Sequence, residues 1–236
     1  MGTFLVTGAS RGIGHAISVV LHKQGHHVIG LARNVDDIDF PGLLIPCDLA
    51  NVEQTAKALA QINEHAINGI VNNVGIALPQ PLGQIDFATL HSVLDLNVRV
   101  AIQITQHFAN AMKARRYGRI VNICSRAVFG ARERTAYSAA KSALIGCTRT
   151  WALEFAEYGV TVNAVAPGPI ETALFRRTRA PGSEAERRVL NAVPMRRIGL
   201  PEEIAAVVCF LLSEQASFIT GQVLPVDGGA SLSGRD

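Results

Sequence analysis

A glycine-rich stretch, Thr7-Gly-Ala-Ser-Arg-Gly-Ile-Gly14, stands between the apolar run Phe4-Leu-Val6 and a helical pattern. Glycines allow a backbone to turn sharply and to approach a pyrophosphate closely. The positive end of the helix that follows then faces the bound phosphates. Because the stretch directly follows an N-terminal strand and opens a helix, it predicts a nucleotide-binding turn in an α/β protein.

The rest of the chain alternates short apolar runs with longer amphipathic stretches. Strands are expected at residues 3–7, 27–32, 43–47, 69–72, 119–123, 161–166 and 222–226, and helices at 13–24, 52–64, 90–114, 137–158 and 202–212. Apolar strands that alternate with helices are typical of a parallel sheet covered on both faces. We therefore predict a doubly wound (Rossmann) α/β fold with a seven-stranded, mostly parallel sheet in a single domain, residues 1–236. Residues 33–48 are too few for a crossover helix, so a loop is expected there.

Composition argues against several classes of protein. Of the 236 residues, 48% are hydrophobic and only 17% are charged, which favours an oligomer that buries part of its exterior. The net charge of +3 is too small and too scattered to indicate nucleic-acid binding. No signal peptide precedes the glycine stretch, and no apolar run reaches the roughly 18 residues that a membrane helix needs. We expect a cytoplasmic protein that does not bind membranes.

The four cysteines show neither paired nor metal-like spacing. They stand at Cys47, Cys124, Cys147 and Cys209. Such isolated cysteines are typical of buried, reduced thiols in a cytosolic protein. No metal site is therefore expected.

Tyr137 and Lys141 stand four residues apart in Ala136-Tyr-Ser-Ala-Ala-Lys141. On a helix their side chains share a face, and an ammonium beside a phenol is expected to lower the pKa of the tyrosine from about 10. Such a tyrosine can exchange a proton with a carbonyl or an alcohol near neutral pH. Taken alone, the pair also fits an ordinary helix, so its meaning depends on the motifs around it.

Several stretches in a fixed order resemble the short-chain dehydrogenase/reductase family, in its single-domain branch. They are residues 7–14, Asn-Asn-Val-Gly at 72–75, the helix around Asn97, Ser125 with Tyr137 and Lys141, Val-Asn-Ala-Val-Ala-Pro-Gly at 162–168, and the tail at 218–229. The resemblance extends over residues 3 to 229 and is closest to the 3-oxoacyl-carrier-protein reductase group.

The resemblance implies a catalytic role for four residues. Tyr137 is expected to act as the general acid in carbonyl reduction and as the base in alcohol oxidation. Lys141 is expected to lower its pKa and to bind the nicotinamide ribose. Ser125 is expected to hydrogen-bond the substrate oxygen, and Asn97 to anchor a water in a proton relay. Ser125 could instead cap a strand end, and Asn97 could instead pair with backbone.

The resemblance also implies a dinucleotide site along the strand ends. The expected cofactor-binding residues are Gly8, Ser10, Arg11, Gly12, Ile13, Gly14, Arg33, Asp48, Leu49, Asn73, Gly75, Tyr137, Lys141, Pro167, Gly168, Ile170 and Thr172. Asn73 and Gly75 could also form a simple turn.

The choice of cofactor depends on the end of the second strand. An acid there accepts from the ribose 2′-hydroxyl of NAD, whereas a nearby arginine suits the 2′-phosphate of NADP. Ala32 stands in the position of the acid, Arg33 follows it, and Arg11 lies in the glycine stretch. We therefore expect NADP(H), with NAD(H) possible if Asp36 or Asp37 turns back toward the ribose.

A polar, arginine-rich segment at residues 171–194 is expected to form a substrate lid beyond a strand end. It contains Arg176, Arg177, Arg179, Arg187 and Arg188, while Arg126, Arg132 and Arg134 follow Ser125. These cations could bind an anionic substrate, such as an acyl thioester on a phosphorylated carrier. They could equally be solvated or paired with Glu133, Glu171, Glu184 and Glu186. Apolar residues of the lid also suit a hydrophobic ketone.

The motifs together predict an oxidoreductase that interconverts a ketone and a secondary alcohol with NADP(H), working mainly as a reductase on a small molecule. The long helices resemble those that pack between subunits in relatives, so a homotetramer or a homodimer is expected. One alternative is an NAD-dependent polyol or sugar dehydrogenase. Another is a non-catalytic nucleotide-sensing protein, because fold alone does not imply function.

Overall fold

The computed structural model describes residues 1–62 and 66–232, and its centre is a seven-stranded sheet. The strands are β1 (Thr3–Thr7), β2 (His27–Ala32), β3 (Leu43–Pro46), β4 (Ile67–Asn72), β5 (Gly118–Ile123), β6 (Val160–Pro167) and β7 (Val223–Val226). Their order is β3-β2-β1-β4-β5-β6-β7, and all six pairings are parallel. The strand order reverses between β1 and β4, which opens a crevice at their carboxyl ends. The predicted doubly wound sheet is confirmed.

Helices cover both faces of this sheet. They are α1 (Gly12–Lys23), α2 (Val52–Ile62), α3 (Phe87–Leu94), α4 (Val100–Arg115), α5 (Thr135–Phe155), α6 (Ala173–Arg176), α7 (Glu184–Ala192) and α8 (Pro201–Leu212). Apolar residues of α1 and α8 pack on one face. Those of α2, α4 and α5 pack on the other. The predicted helix at residues 52–64 is confirmed as far as Ile62, and its last residue, Glu64, lies outside the described residues.

The crossover from β2 to β3 is a loop, as predicted. Residues 33–42 are all described, and they form bends and turns without a helix. A side chain at Gly30 would lie 2.7 Å from the ring of Phe40. The loop therefore packs directly on the strand, and no helix covers β2 at this point.

The long helix expected at residues 90–114 is divided into three parts. Helix α3 begins earlier, at Phe87, because the Asp86 carboxylate accepts a hydrogen bond from the backbone N–H of Thr89 at 2.8 Å. A π-helical turn, Asp95–Arg99, then separates α3 from α4. Such turns insert one extra residue and frequently occur at functional sites. The hydrophobic periodicity of residues 90–114 predicts one continuous helix and does not indicate this π-helical turn.

The cysteines are all free thiols. Cys47, Cys124 and Cys209 are buried, as expected, but Cys147 is half-buried, so the expectation of four buried thiols is wrong at that position. Burial raises the pKa of Cys124 to about 11 and that of Cys209 to about 12. Among the described residues, no helix has the length and apolar character needed to cross a membrane. The same part of the chain holds no group of three or more His, Cys, Asp or Glu side chains that could bind a metal ion.

Candidate active site

The glycine turn after β1 has the backbone that its sequence predicts. Gly8 (φ +63°) and Gly12 (φ +57°) both adopt left-handed conformations that favour glycine. A methyl group at Gly14 would collide with the carbonyl oxygen of Gly8. At Gly12 a methyl group would lie 3.4 Å from the side chain of Thr172. The start of the lid therefore lies across the turn, and Thr172 joins the predicted dinucleotide site.

The ends of β1 and β4 are joined by hydrogen bonds through Thr7 and Asn73. The Thr7 hydroxyl accepts from the backbone N–H groups of Asn73 and Val74, both at 2.9 Å. The Asn73 amide in turn donates to the carbonyl of Thr7 at 2.8 Å and to that of Gly8 at 3.2 Å. Asn73 is therefore more than a turn residue, because it fixes the glycine turn against the neighbouring strand. The sequence analysis did not predict this role of Thr7. A hydroxyl residue directly before the first glycine was the feature that could have indicated it.

Ser125, Tyr137 and Lys141 meet at the carboxyl end of β5. Ser125 follows that strand and accepts from the backbone N–H of Ala127 at 3.1 Å, and its hydroxyl is close enough to the phenol of Tyr137 to oppose the rise of the tyrosine pKa. Tyr137 lies in the first turn of α5, one helical turn before Lys141. The Lys141 ammonium is buried and donates to the carbonyl of Ile123 at 2.8 Å. The reading of Ser125 as a cap is therefore confirmed, and its hydrogen bond to a substrate oxygen stays a prediction.

The expected lowering of the tyrosine pKa is wrong in this structure. Burial raises the pKa of Tyr137, and the opposing effects of the Ser125 hydrogen bond and the Arg134 charge do not reverse it. The ammonium of Lys141 lies 5.7 Å from the centre of the tyrosine ring and is itself destabilised, because burial lowers its pKa to about 8. Burial disfavours the charged forms of both side chains, the phenolate of Tyr137 and the ammonium of Lys141. The position of the two residues on one helix face therefore does not determine the pKa of the tyrosine.

Asn97 occupies the π-helical turn and faces this cluster. Its amide N–H₂ donates to the carbonyls of Ile76 at 2.9 Å and Val93 at 2.8 Å. Its amide oxygen is buried and has no hydrogen-bond partner among the described residues. A methyl group at Gly75 would collide with that oxygen and lie 3.2 Å from the Lys141 ammonium. Backbone pairing of Asn97 is thus confirmed, and its oxygen still points toward the reactive groups.

Buried side-chain amides form a hydrogen-bonded chain close to Ser125, Tyr137 and Lys141, and the sequence analysis did not predict it. Asn72 donates to the side-chain oxygen of Asn122 at 2.8 Å, and Asn122 donates to the hydroxyl of Thr148 on α5 at 2.8 Å. Asn72 and Asn122 are register partners on β4 and β5. Because buried polar groups are costly unless paired, this chain fixes α5 relative to the strands that end at the site. Asparagines near the ends of two apolar strands were the available signal.

The residues after β6 lead from the sheet to the lid. The backbone N–H of Gly168 donates to the carbonyl of Val226 at 3.0 Å, and a methyl group here would lie 2.6 Å from Asp227. Ile170 is buried and pairs with Gly199, while Thr172 caps α6. Pro167, another predicted residue, is the last residue of β6. Ser10 and Ile13, also predicted, follow the carboxyl end of β1, which lies at the same end of the parallel sheet.

Comparison with known proteins agrees with this geometry. Residues 8–231 match the protein family described as Enoyl-(Acyl carrier protein) reductase. The chain belongs to the short-chain dehydrogenase/reductase family. As a member of that family it is an oxidoreductase, and the predicted resemblance to 3-oxoacyl-carrier-protein reductases is confirmed.

Individual relatives cover almost the whole of this short-chain dehydrogenase/reductase. The chain is 37% identical over 240 residues to Nodulation protein G of Rhizobium sp. (strain N33), covering 97% of this chain and 96% of that protein. It is 37% identical to the 3-oxoacyl-[acyl-carrier-protein] reductase of Rickettsia bellii, covering 96% and 95%. A solved putative NAD(P) dependent gluconate 5-dehydrogenase from Beutenbergia cavernae with bound NADP is 35% identical, with a TM-score of 0.91 and coverage of 98% and 97%.

Arg33 and Arg11 lie at the predicted ribose end of the dinucleotide site. Ala32 is buried at the end of β2, and Arg33 directly after it is exposed. Arg11 is also exposed and precedes α1. Asp36 and Asp37 are exposed in the following loop. Within residues 1–62 and 66–232, neither arginine forms an ion pair with a carboxylate.

The predicted adenine contact lies at the end of β3. Asp48 is half-buried, and its carboxylate accepts from the backbone N–H of Ala50 at 3.1 Å. Leu49 is buried, and its carbonyl accepts from the guanidinium of Arg99 at 2.8 Å. This corner is therefore held by hydrogen bonds to the π-helical turn and within its own turn.

Only two of the lid arginines, Arg176 and Arg188, form ion pairs within the described part of the chain. Arg176 donates to Glu171 at 2.7 Å and to Glu186 at 2.5 Å, and Arg188 forms an ion pair with Glu184. These two support the reading of internal pairing. In the described part of the chain, Arg126, Arg132, Arg134, Arg177, Arg179 and Arg187 form no ion pair with a carboxylate.

Proposed function

We propose that this protein transfers a hydride between NADP(H) and a ketone or secondary alcohol, and that it works mainly as a ketone reductase. One observation carries the proposal. Ser125 lies close to the phenol of Tyr137 at the end of β5, and Lys141 and the amide oxygen of Asn97 both lie against Gly75. Proton-transfer groups and a pyrophosphate-binding turn thus meet at the switch point of a parallel sheet.

The glycine turn fits a dinucleotide. Gly8 and Gly12 have left-handed backbones, and space for a methyl group is missing at Gly14 and Gly75. When bound, the nicotinamide of NADP(H) supplies the hydride chemistry. In our proposal the other predicted contacts, from Arg11 to Thr172, hold the cofactor along the strand ends.

Tyr137 and Ser125 polarise the carbonyl in this proposal. Tyr137 donates its proton to the carbonyl oxygen as the carbon is reduced, and Ser125 donates a hydrogen bond to the same oxygen. Donors aimed at an oxygen that gains negative charge stabilise the transition state more than the ground state. Because burial raises the pKa of Tyr137, the phenol is protonated at neutral pH, and this is the form that a reduction requires.

Lys141 and Asn97 restore the proton in this proposal. The pKa of Lys141 is lowered to about 8, so its ammonium can release and regain a proton close to neutral pH. The buried amide oxygen of Asn97 can accept a hydrogen bond from a water that links Lys141 to solvent. Gly75 allows both side chains to approach the same stretch of backbone.

NADP(H) is the proposed cofactor because β2 ends in Ala32 and Arg33 instead of an acid. An exposed guanidinium binds a 2′-phosphate through forked, charge-assisted hydrogen bonds. The NADP found with the Beutenbergia cavernae relative is consistent with this choice. We expect Arg33→Ala to lower the ratio of kcat/KM for NADPH to that for NADH. An unchanged ratio in Arg33→Ala and in Arg11→Ala would show that neither arginine reads the phosphate.

A second candidate is a polyol or sugar-acid dehydrogenase that works oxidatively. It is favoured by a solved putative gluconate dehydrogenase from Agrobacterium tumefaciens, which is 28% identical with a TM-score of 0.92 and coverage of 98% and 96%. A non-catalytic nucleotide sensor is disfavoured, because such a protein has no need for a buried lysine and an unpaired amide oxygen on either side of Gly75.

We also propose that the protein is a cytoplasmic homotetramer or homodimer. Apolar side chains are exposed on α5, where Leu153 has 83% of its surface free, and near β7, where Phe218 is fully exposed. Such exposure fits burial against a second copy. Light scattering after size-exclusion chromatography measures the number of copies, and a monomer at micromolar concentration contradicts the proposal.

The decisive experiment measures initial rates of NADPH and NADH oxidation with ketones, diketones and 3-oxoacyl thioesters, and the reverse reaction with polyols and sugar acids. Tyr137→Phe is compared with Tyr158→Phe, which removes a hydroxyl far from the cluster. Reduction that is lost only in Tyr137→Phe supports the proposal. Oxidation of polyols without ketone reduction favours the second candidate. Binding of cofactor without any turnover indicates a sensor.

A further inference from the structure

Arg99 connects two parts of the predicted site that lie far apart in the sequence. It is the last residue of the π-helical turn and follows Asn97 by two residues. Its Nη2 donates to the carbonyl of Leu49 at 2.8 Å and to that of Ala50 at 3.2 Å. Both carbonyls belong to the turn after β3 that contains the predicted adenine contact, and we name residues 47–51 the adenosine turn. The backbone that carries Asn97 is therefore bound directly to the adenosine turn.

The guanidinium of Arg99 has an acceptor for each of its three nitrogens. Nε and Nη2 donate to the two carboxylate oxygens of Asp95 at 2.8 Å and 2.5 Å, and Asp95 stands four residues earlier. Nη1 donates to the side-chain oxygen of Gln103 at 2.8 Å. The amide of Gln103 in turn donates to the carbonyl of Val52 at 3.0 Å, at the start of α2. A planar guanidinium bound in this forked way keeps little freedom, so it holds its partners in a fixed relation.

The adenosine turn lies beyond the strand pairing, so contacts other than the sheet must hold it. The pairing of β3 with β2 ends at Pro46. Beyond that residue, the backbone N–H of Asp48 donates to the side-chain oxygen of Gln54 on α2 at 3.1 Å. The backbone N–H of Asn51 donates to the carbonyl of Asp48 at 2.9 Å. These bonds close the adenosine turn on itself and on α2, and Arg99 adds the contact to the π-helical turn.

The π-helical turn also determines where Asn97 lies. The backbone N–H of Val100 donates to the carbonyl of Asp95, five residues earlier, and this is the bond that defines such a turn. Within the turn, the amide oxygen of Asn97 lies against Gly75, beside the Lys141 ammonium. Because Arg99 belongs to the same short turn, a change in its contacts alters the backbone on which Asn97 stands.

We propose that Arg99 is a positioning residue that holds the adenosine turn and Asn97 in one fixed relation. The same side chain then sets the affinity for the adenosine half of the cofactor and, through Asn97, the rate of the chemical step. A preformed adenosine turn binds its ligand without first being ordered, and a fixed Asn97 keeps the reacting groups aligned. This inference rests on the proposed function.

The test compares Arg99→Met with Arg115→Met. Arg115 ends α4 and also donates from Nη2 to a backbone carbonyl, that of Ile67 at 2.6 Å, but at the start of β4 and so at the opposite end of the sheet. Calorimetric titration measures the binding of adenosine 2′,5′-bisphosphate and of AMP, which are the adenosine ends of NADP and NAD. Initial rates give kcat and the KM for the ketone.

For Arg99→Met we expect the tighter of the two adenosine probes to bind about 10-fold more weakly. The kcat at saturating cofactor should fall by about 3- to 10-fold, while the KM for the ketone stays within about twofold of wild type. Arg115→Met should change none of these quantities, although it also loses a hydrogen bond from a guanidinium to a backbone carbonyl.

Two further variants separate positioning from stability. Asn97→Ala removes the group through which Arg99 acts on the rate, so adding Arg99→Met to it should lower kcat by less than about a further twofold. Arg99→Lys keeps the positive charge but lacks the fork, and we expect it to bind the adenosine probe more weakly than wild type. If Arg99→Met does not fold, Arg99→Lys takes its place in every comparison.

The outcomes distinguish this inference from the proposed function. Unchanged binding of the adenosine probe, an unchanged kcat in Arg99→Met, or equal losses in Arg115→Met would overturn the inference while the reductase function stands. Fully additive losses of kcat in the double variant would also overturn it, because Arg99 would then act on the rate without Asn97. If wild type reduces no ketone, the proposed function fails. The binding comparison then decides alone, because weaker binding in Arg99→Met only supports the inference and equal binding overturns it.

Discussion

The proposed catalytic floor (Asn97, Ser125, Tyr137 and Lys141) and the predicted lid (residues 171–194) are held by different forces. Asn97 and Lys141 each expose only 2% of their surface. They sit on helices packed against the sheet and are fixed by short hydrogen bonds to backbone carbonyls. The lid consists of two short helices joined by a loop, with Leu174 55% exposed, and two of its arginines, Arg176 and Arg188, form ion pairs with carboxylates.

Because of this difference, we expect the chemical step to depend on the floor and the binding of the substrate to depend on the lid. Moving a floor residue requires repacking of the core or loss of a buried hydrogen bond, and both are costly. Surface ion pairs contribute much less and are screened by salt, so the lid can rearrange at little cost. We therefore expect changes in the floor to reduce the chemical rate and changes in the lid to alter substrate binding.

The strongest test of the floor compares two serines beside Tyr137. Ser125→Ala removes a donor aimed at the developing oxyanion, and we expect kcat to fall by about 10²- to 10³-fold. Ser138→Ala is the control, because the Ser138 hydroxyl is buried without a hydrogen-bond partner among the described residues. Its loss should leave kcat unchanged. Equal losses in both variants would show that packing around Tyr137, rather than the Ser125 donor, determines the rate.

Gly75→Ala tests how tightly the floor is packed. The new methyl group would collide with the amide oxygen of Asn97, so Asn97 and Lys141 must shift. Displacements of this size lead us to expect a fall in kcat of about 10- to 100-fold. Gly146→Ala is the matched control, because its methyl group meets nothing within 4 Å on α5. That control should unfold at a higher temperature, since alanine in a helix is favoured by about 0.5–1 kcal/mol. An active Gly75→Ala enzyme would mean that the floor is looser than described.

Lys141 makes the stability of the floor depend on pH. Its folded pKa of about 8 lies below the usual value, so the unfolded chain binds more protons between pH 8 and about 10.5. The free energy of unfolding should therefore rise with pH across this window, by roughly 1–3 kcal/mol relative to Lys141→Met. Urea denaturation at several pH values measures the difference. Parallel curves for the two proteins would mean that Lys141 keeps an ordinary pKa.

The smallest effect is expected in the lid. Arg176→Gln breaks the contact to Glu186, which joins the two lid helices, and the contact to Glu171, which precedes the first of them. We expect KM to rise several-fold while kcat changes by less than about twofold, because the floor is untouched. Arg188→Gln removes an ion pair whose partners are both exposed and should change neither constant. A selective loss of kcat in Arg176→Gln would show that the lid takes part in the chemical step.

Much of the fold and of the floor could be predicted because the signals are local. The glycine turn needs left-handed backbone at Gly8 and Gly12, and glycine is the residue that adopts it freely. Strand and helix periodicities placed every strand of the sheet and the main helices. The π-helical turn was not predictable, because the amide of Asn97 bonds to the carbonyl of Ile76, which belongs to a different segment.

The sequence alone therefore determined the doubly wound fold, the family and the identity of the residues at the end of β5. Backbone requirements and side-chain periodicity depend on neighbours along the chain, so they can be read without coordinates. Tertiary structure decided the direction of the Tyr137 pKa, since burial outweighs the charges that share its helix. It also decided that Arg176 and Arg188 of the lid meet a carboxylate. Desolvation and charge pairing depend on distances between segments that only folding brings together.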